Sequence, residues 1–381
     1  MRKSERGVAL RFHWSLSQAG DPWRKTQAPS AQSGVPDLAA QIALCRLAEQ
    51  SGVESLLLAF GFARPDPMVL ASAIGAATES ITLMVACRSG VMQPALFVQQ
   101  VNTVSALTGG RISINIVAGH SPHEHGYYGD FLPHDERYER TREFLAVCRA
   151  FWRREGEVAF QGRYYQVERG RLGTPFVSPH RSAPEIFLGG NSPQAEAVAV
   201  EHAHCLLRHP DAPGRLRPRV MPLVERGTAV GLRVALLARP THEEALADAA
   251  SLLEIARQKA GASRKEFVAR TDSVGFRSTL AMAEDAESAW PAPWLWAGLV
   301  PYLGEVCLVG SADDVAGALL ELGGAGISQF LFSGWPDERE MRFFGAEILP
   351  RVRRLEAAAA GADAASTPGA DADAGAGAQG L

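Results

Sequence analysis

The sequence predicts an α/β protein built as a (β/α)8 barrel with insertion segments. Three observations carry that expectation. Short apolar runs alternate with stretches of helical period from residue 8 to residue 353. One of them, SLLLAF (55–60), is apolar on both faces, as a parallel strand covered by helices should be. Eight such runs occur, the number that closes a barrel of this kind.

The elements follow in order. VALRFHWSL (8–16) is the first strand. Residues 36–52 form a helix with Leu38, Ile42 and Cys45 on one face, Pro36 in the first turn and Gly52 at the stop. SLLLAF (55–60) is the second strand, and a helix follows at 66–79. TLMVACR (82–88), a helix at 94–110 and ISINIVAG (112–119) complete the first half. After a polar loop, a helix at 134–152 precedes a small hairpin within 157–182. The strand APEIFLGG (183–190), a helix at 192–203 and the strand HCLLRH (204–209) come next. Residues 214–227 read as a helix despite Pro218 and Pro222, and VGLRVALLAR (230–239) as the seventh strand. The segment 240–310 is too long for a barrel connection and opens with a helix at 241–260. A helix at 311–326, the eighth strand QFLFSG (329–334) and a helix at 336–353 close the fold. Residues 1–356 are thus expected to form one barrel domain, with insertions at 120–133, 157–182 and 240–310. The Ala, Gly and Asp tail, 357–381, is expected to be disordered, because it has little apolar surface to bury.

Composition narrows the function. The 381 residues are 46% hydrophobic and 21% charged, enough for a large core. The formal net charge is -4 with no basic face, which argues against nucleic acid. The five cysteines are scattered without a C-x-x-C, which disfavours a disulfide framework or a zinc ribbon and suits a reducing cytoplasm. No apolar run has the length of a membrane span, and Arg11 and His13 interrupt the N-terminal apolar stretch, so neither a membrane anchor nor a signal peptide is expected.

Barrel chemistry gathers where strands end at their carboxyl side. G-G-N-S-P (189–193) ends a strand and opens a helix, so its N–H groups are suited to a phosphate; an ordinary capped turn is the competing reading. H-D-E-R-Y-E-R (134–140) places Arg137 and Tyr138 at another helix start, where a solvated charged turn is the plainer reading. H-S-P-H-E-H (120–125) lacks the H-E-x-x-H spacing and reads as a polar loop, so no metal is expected.

Six segments then matter together: N-I-V-A-G (115–119), L-P-H-D-E-R-Y (132–138), L-G-G-N-S (188–192), A-R-T-D-S-V-G (269–275), L-W-A-G-L-V (295–300) and F-S-G-W-P (332–336). In this order and spacing the chain resembles the bacterial luciferase-like, two-component flavin monooxygenases, and within them the alkanesulfonate monooxygenases. The resemblance spans roughly 9–353, with A-R-T-D-S-V-G its most specific piece. It implies FMN, received as FMNH2 from a separate NAD(P)H:FMN reductase, and O2 as co-substrate. It implies that Gly189, Gly190, Asn191 and Ser192 cradle the phosphate with Tyr138 and His134, and that Asn115 and Ala118 line the flavin. The Ala86–Cys87 junction falls against the flavin ring in many relatives. Arg270 and the stretch 276–292 match a mobile lid, and a homodimer or homotetramer is implied.

The reacting end departs from the sulfonate enzymes. The Arg-x-His of their seventh strand is Arg233-Val234-Ala235 here, and where they carry an arginine after L-W-A-G-x-x-L-V, Pro301 follows Val300. Trp335 stands in the place of their catalytic tyrosine, Arg64 in that of a cysteine and Arg208 in that of a tryptophan. Indole does not titrate near neutral pH, which removes a general acid or base role from Trp335. Arg233, Arg64 and Arg208 are candidates for an anion site, and His13 for the missing imidazole, unless it is a core histidine. The expected reaction is oxygenation of a small organic substrate, with an anionic or carrier-tethered metabolite as one alternative. Alkanesulfonate cleavage, a non-catalytic flavin binder and an F420-dependent oxidoreductase are the alternatives.

Overall fold

The computed structural model describes residues 9–16, 35–119, 122–259, 268–284, 287–335 and 337–366. The first half alternates β1 (Arg11–Ser15), α1 (Leu38–Gln50), β2 (Ser55–Leu58), α2 (Pro67–Gly75), β3 (Thr82–Cys87), α3 (Pro94–Thr108) and β4 (Ile112–Val117). A short α4 (Pro122–Tyr127) and a long α5 (His134–Arg153) follow. The antiparallel hairpin β5 (Val158–Gln161) and β6 (Gln166–Gly170) comes next. Then come β7 (Glu185–Gly189), α6 (Pro193–His202), β8 (Cys205–Arg208), α7 (Pro213–Glu225) and β9 (Ala229–Ala238). The rest comprises α8 (His242–Lys259), α9 (Val274–Met282), β10 (Leu295–Trp296), α10 (Val300–Leu303), β11 (Cys307–Gly310), α11 (Ala312–Gly324) and β12 (Ile327–Ser333). It ends with α12 (Asp337–Phe343), a π-helical turn (Phe344–Ile348) and α13 (Leu349–Ser366).

Strands β1, β2, β3, β4, β7, β8, β9 and β12 pair in parallel in that order, and β12 returns to β1. The expected eight-stranded barrel is therefore present and closed. Alternation along each strand divides its side chains between two cores. Phe12, Trp14, Phe330 and Phe332 pack outward against the helices, where Phe12 and Phe332 stack at 5.9 Å. Leu57, Met84, Ala86, Phe187, Cys205, Leu207 and Leu331 fill the interior.

Three features differ from the sequence expectation. The insertion 240–310 contains two more strands. β11 pairs in parallel with the upper half of β9, Cys307 opposite Ala235, and β10 joins it antiparallel. Within 276–292, residues up to Met282 belong to α9, which Ser273 caps by accepting from the Phe276 N–H at 3.2 Å. The C-terminal helix runs on to Ser366, into the segment expected to lack structure, because alanine has the highest helix propensity. Residues 367–381 lie outside the described residues.

α7 tolerates Pro218 and Pro222 because both lie on its exposed face. Its buried residues Leu216, Val220 and Leu223 hold it to the barrel despite the lost backbone hydrogen bonds.

Candidate active site

The carboxyl end of β7 gathers most of the predicted phosphate ligands. The Gly190 N–H donates to the Leu207 carbonyl at 3.0 Å, so the ladder with β8 extends one residue past the strand. Ser192 then caps α6, its Oγ accepting from the Ala195 N–H at 3.2 Å, and Pro193 enters the first turn. A helix begun this way points unsatisfied N–H groups and a partial positive charge at whatever lies before it. Tyr138, in the second turn of α5, hydrogen bonds to Ser192. Burial raises its pKa, which keeps the phenol neutral and able to donate. The His134 ring meets Tyr138 edge-on at 5.1 Å. A Cβ at Gly190 would lie 2.5 Å from the Ala195 Cβ and 2.8 Å from the Tyr138 hydroxyl, so the cradle requires glycine there.

Asn191 has a different task. Its Oδ1 accepts from the His209 N–H at 3.0 Å, and its carbonyl accepts from Arg219 Nη2 at 3.2 Å. The side chain thus ties the end of β7 to the end of β8 instead of facing a phosphate. The A-R-T-D-S-V-G segment closes on the same place. Asp272 pairs with Arg137 at 2.5 Å, and Arg137 also donates to the Ala118 and Leu132 carbonyls at 3.0 Å each. A Cβ at Gly275 would come within 2.6 Å of Asn191 Oδ1, so α9 starts against the cradle. Arg270 is exposed.

Asn115 points into the barrel from β4, in register with Ala86 on β3 and Phe187 on β7. Its Oδ1 is buried with no hydrogen-bond partner. Ala86 lines the interior, and Cys87 faces the helices, its thiol pushed up to about 12 by burial. Residues Ser192, Gly190, Tyr138, His134, Gly189, Asn115 and Ala86 therefore lie on three neighbouring strands and the helix above them.

The five residues predicted for the reacting end do not form one cluster. Arg233 reaches the barrel mouth, 41% exposed, and pairs with the buried Glu305. Arg208 faces outward and pairs with Glu196 on α6, with its Nε buried and unpartnered. Neighbouring residues on a strand face opposite ways, so Leu207 takes the interior position and Arg208 the helix side. His13 is fully buried inside the barrel, Nδ1 2.7 Å from Ser55 Oγ and Nε2 2.8 Å from Gln329 Oε1. Burial lowers its pKa, and both ring nitrogens are occupied, so it is a core histidine and not a replacement acid at the rim. Trp335 is 8% exposed and packs with Ala235, Leu237, Trp296, Leu299 and Val309 over the β9–β11 extension. Arg64 is half-buried in the turn after β2, beside Gly61.

One constellation was not foreseen. Arg88, directly after β3, is 4% exposed and donates from Nη2 to Glu124 Oε2 at 2.7 Å. Its guanidinium lies 5.1 Å from the centroid of Phe60 and 5.8 Å from that of Tyr128. The other carboxylate oxygen of Glu124 accepts from the Phe62 N–H at 2.9 Å. The partners come from β2, β3 and α4, and no local spacing links them. Position at a strand's carboxyl end was the only available signal. Among the described residues no three His, Cys, Asp or Glu side chains converge as a metal site; His120 lies outside those residues.

The model of the luciferase-like monooxygenase family matches residues 10–329. The fold is similar to the EDTA monooxygenase of Chelativorans sp. BNC1, with a TM-score of 0.71 at 19% identity over 91% of this chain and 94% of that one. It is similar to the oxygenating constituent of 3,6-diketocamphane monooxygenase of Pseudomonas putida, solved with FMN: TM-score 0.61, 18% identity, 90% of this chain and 99% of that one. The coenzyme F420-dependent tetrahydromethanopterin reductase of Methanopyrus kandleri gives 0.64 at 18% identity, over 91% of this chain and 100% of that one. At these identities the likeness is one of fold.

Proposed function

The chain belongs to the luciferase-like monooxygenase family, and from that premise we propose that it uses reduced FMN and O2 to oxygenate a small organic substrate. The observation that carries the cofactor assignment is the cradle at Gly190, Ser192 and Tyr138, which a single added Cβ would fill. It has the parts a phosphate monoester needs: a helix N-terminus, a capping hydroxyl and a neutral phenol donor. The FMN in the diketocamphane enzyme of the same fold supports the choice. Bound dihydroflavin would supply the oxygen-activating chemistry. The chain's own residues would hold the phosphate, align the ring along the β4 and β3 ends, and keep water out. A separate NAD(P)H:FMN reductase would deliver the reduced cofactor.

The reacting end supports a substrate other than an alkanesulfonate. Arg233 is countered by Glu305, Arg208 by Glu196, and Trp335 belongs to an apolar cluster. With Arg208 on the helix side, the rim itself keeps one compensated charge, Arg233 with Glu305, and no imidazole or phenol in the sulfonate-type positions. That suits a partly apolar substrate.

Anaerobic titration with FMN, FMNH2 and F420 tests the reading. Saturable binding of FMNH2 is expected. Ser192→Asp should weaken it by about tenfold or more through repulsion of the phosphate. Binding of F420 alone, or an unchanged affinity in the Asp variant, would overturn the assignment.

A further inference from the structure

A group of exposed aromatic rings stands at the barrel mouth, away from the cradle. Phe62, in the turn after β2, is 65% exposed. Tyr127 and Tyr128, at the end of α4, and Phe131 just beyond it are 55%, 37% and 83% exposed. The Phe62 and Tyr127 rings meet edge to face at 5.3 Å, and a Cβ at Gly126 would lie 3.7 Å from the Phe131 ring. Tyr128 lies 5.2 Å from Phe60, and Phe60 packs against the interior cluster that holds Leu57, Met84 and Ala86. The aromatic surface therefore leads from the rim into the barrel interior beside Ala86. Single exposed apolar residues are ordinary, but a contiguous group of large ones marks a binding surface.

The rings are braced from beneath. Glu124 on α4 accepts from the Phe62 N–H at 2.9 Å with one oxygen and from Arg88 at 2.7 Å with the other. Both side chains of that pair are buried. A buried ion pair seldom adds stability, because desolvation offsets the attraction. Its effect here is to clamp α4 against the turn after β2, which fixes Phe62 beside Tyr127. Arg88 and Glu124 are thus positioning residues covered by protein.

The size of the surface indicates its occupant. At about 200 Å² per ring, these four exposures amount to roughly 500 Å². A standard protein interface covers about 800 Å² on each partner. The rings offer too little for a stable protein contact and enough for a small ring system. Ring-on-ring contact adds a quadrupole attraction to area burial, which a saturated ligand forgoes. Resting on the monooxygenase reading above, we propose that Phe62, Tyr127, Tyr128 and Phe131 bind an aromatic substrate, so that the chain oxygenates aromatic or aryl-substituted compounds. Phe60 carries the same surface inward.

The experiment titrates the full chain, without flavin, with 2-naphthol and with its saturated counterpart decahydro-2-naphthol. Wild-type protein should bind 2-naphthol about tenfold more tightly than the saturated compound. Phe62→Ser/Tyr127→Ser should lower the 2-naphthol affinity by about tenfold, and Phe131→Ser by about threefold. All three positions are exposed, and circular dichroism checks the folding. Equal affinity for the two compounds, no binding of either, or folded variants that bind 2-naphthol like wild type would overturn the proposal. Sedimentation velocity covers the other occupant. A smaller assembly in the double variant, with 2-naphthol affinity unchanged, would assign the rings to a second copy of the chain and overturn it too. Failure of wild-type protein to bind FMNH2 would instead count against the cofactor assignment, which the Ser192→Asp comparison probes independently.

Discussion

Two sides of the barrel mouth differ in how they treat polarity. On the β3–β4–β7 side, polar groups converge and some remain unpartnered: Asn115 Oδ1, Arg88 Nε and Arg88 Nη1. On the β9–β12 side, the charges are countered and the aromatic residues are packed: Arg233 with Glu305, and Trp335 among Ala235, Leu237 and Trp296. Unsatisfied polar groups destabilise a fold, and a ligand is one way of completing them, although Ser333 Oγ on β12 and Arg208 Nε on the helix side are unpartnered as well. On the proposed reading, the first side is shaped by the ligand it holds and the second by its own packing.

Substitutions on the two sides should therefore fail in different ways. The largest effect is expected for Trp335→Ala, which empties a buried indole volume and should cost about 3–5 kcal/mol of stability. Thermal or denaturant unfolding measures it, and flavin affinity in the folded variant should stay within about threefold of wild type. A large loss of affinity would move Trp335 to the binding side. Gly190→Val should behave the opposite way. Its side chain would meet the Tyr138 hydroxyl and Ala195, and FMNH2 affinity should drop by about a hundredfold, roughly 2.7 kcal/mol. Overpacking should add a stability loss of about 1–3 kcal/mol. The smallest effect concerns His13, which lies below both sides. Burial lowers its pKa, so the folded imidazole stays neutral where the unfolded one takes a proton. Its contribution to stability is present above the unfolded pKa of about 6.5 and is lost as pH falls through it, by at most about 1.4 kcal/mol per unit. Between pH 7 and pH 5 the melting temperature of His13→Gln should fall less than that of wild type. Parallel pH curves would show that His13 does not titrate differently on folding.

The barrel was legible because its eight strands are short, mostly apolar runs such as Ser55–Leu58 and Ile112–Val117 that alternate with stretches of helical period. The cradle was legible because glycine, serine and proline at a strand-to-helix turn have a local meaning. β11 was not, since its four residues, Cys307–Gly310, join the sheet through β9, far earlier in the sequence, with only the two-residue β10 beside them. Arg208 was misplaced for a related reason. A strand's side chains alternate, and a shift of one residue decides between barrel interior and helix layer. Arg88 and Glu124 escaped because 36 residues separate them and their pairing exists only once α4 lies across the mouth.

β9 has one more consequence. β12 follows it only to Ala235, but β9 continues to Ala238 with β11 beside it. Three further residues raise that wall by about 10 Å, at roughly 3.3 Å per residue. The rim is therefore a parapet on one flank and low on the other. Whatever enters the barrel mouth therefore meets a taller wall at β9 than at β12.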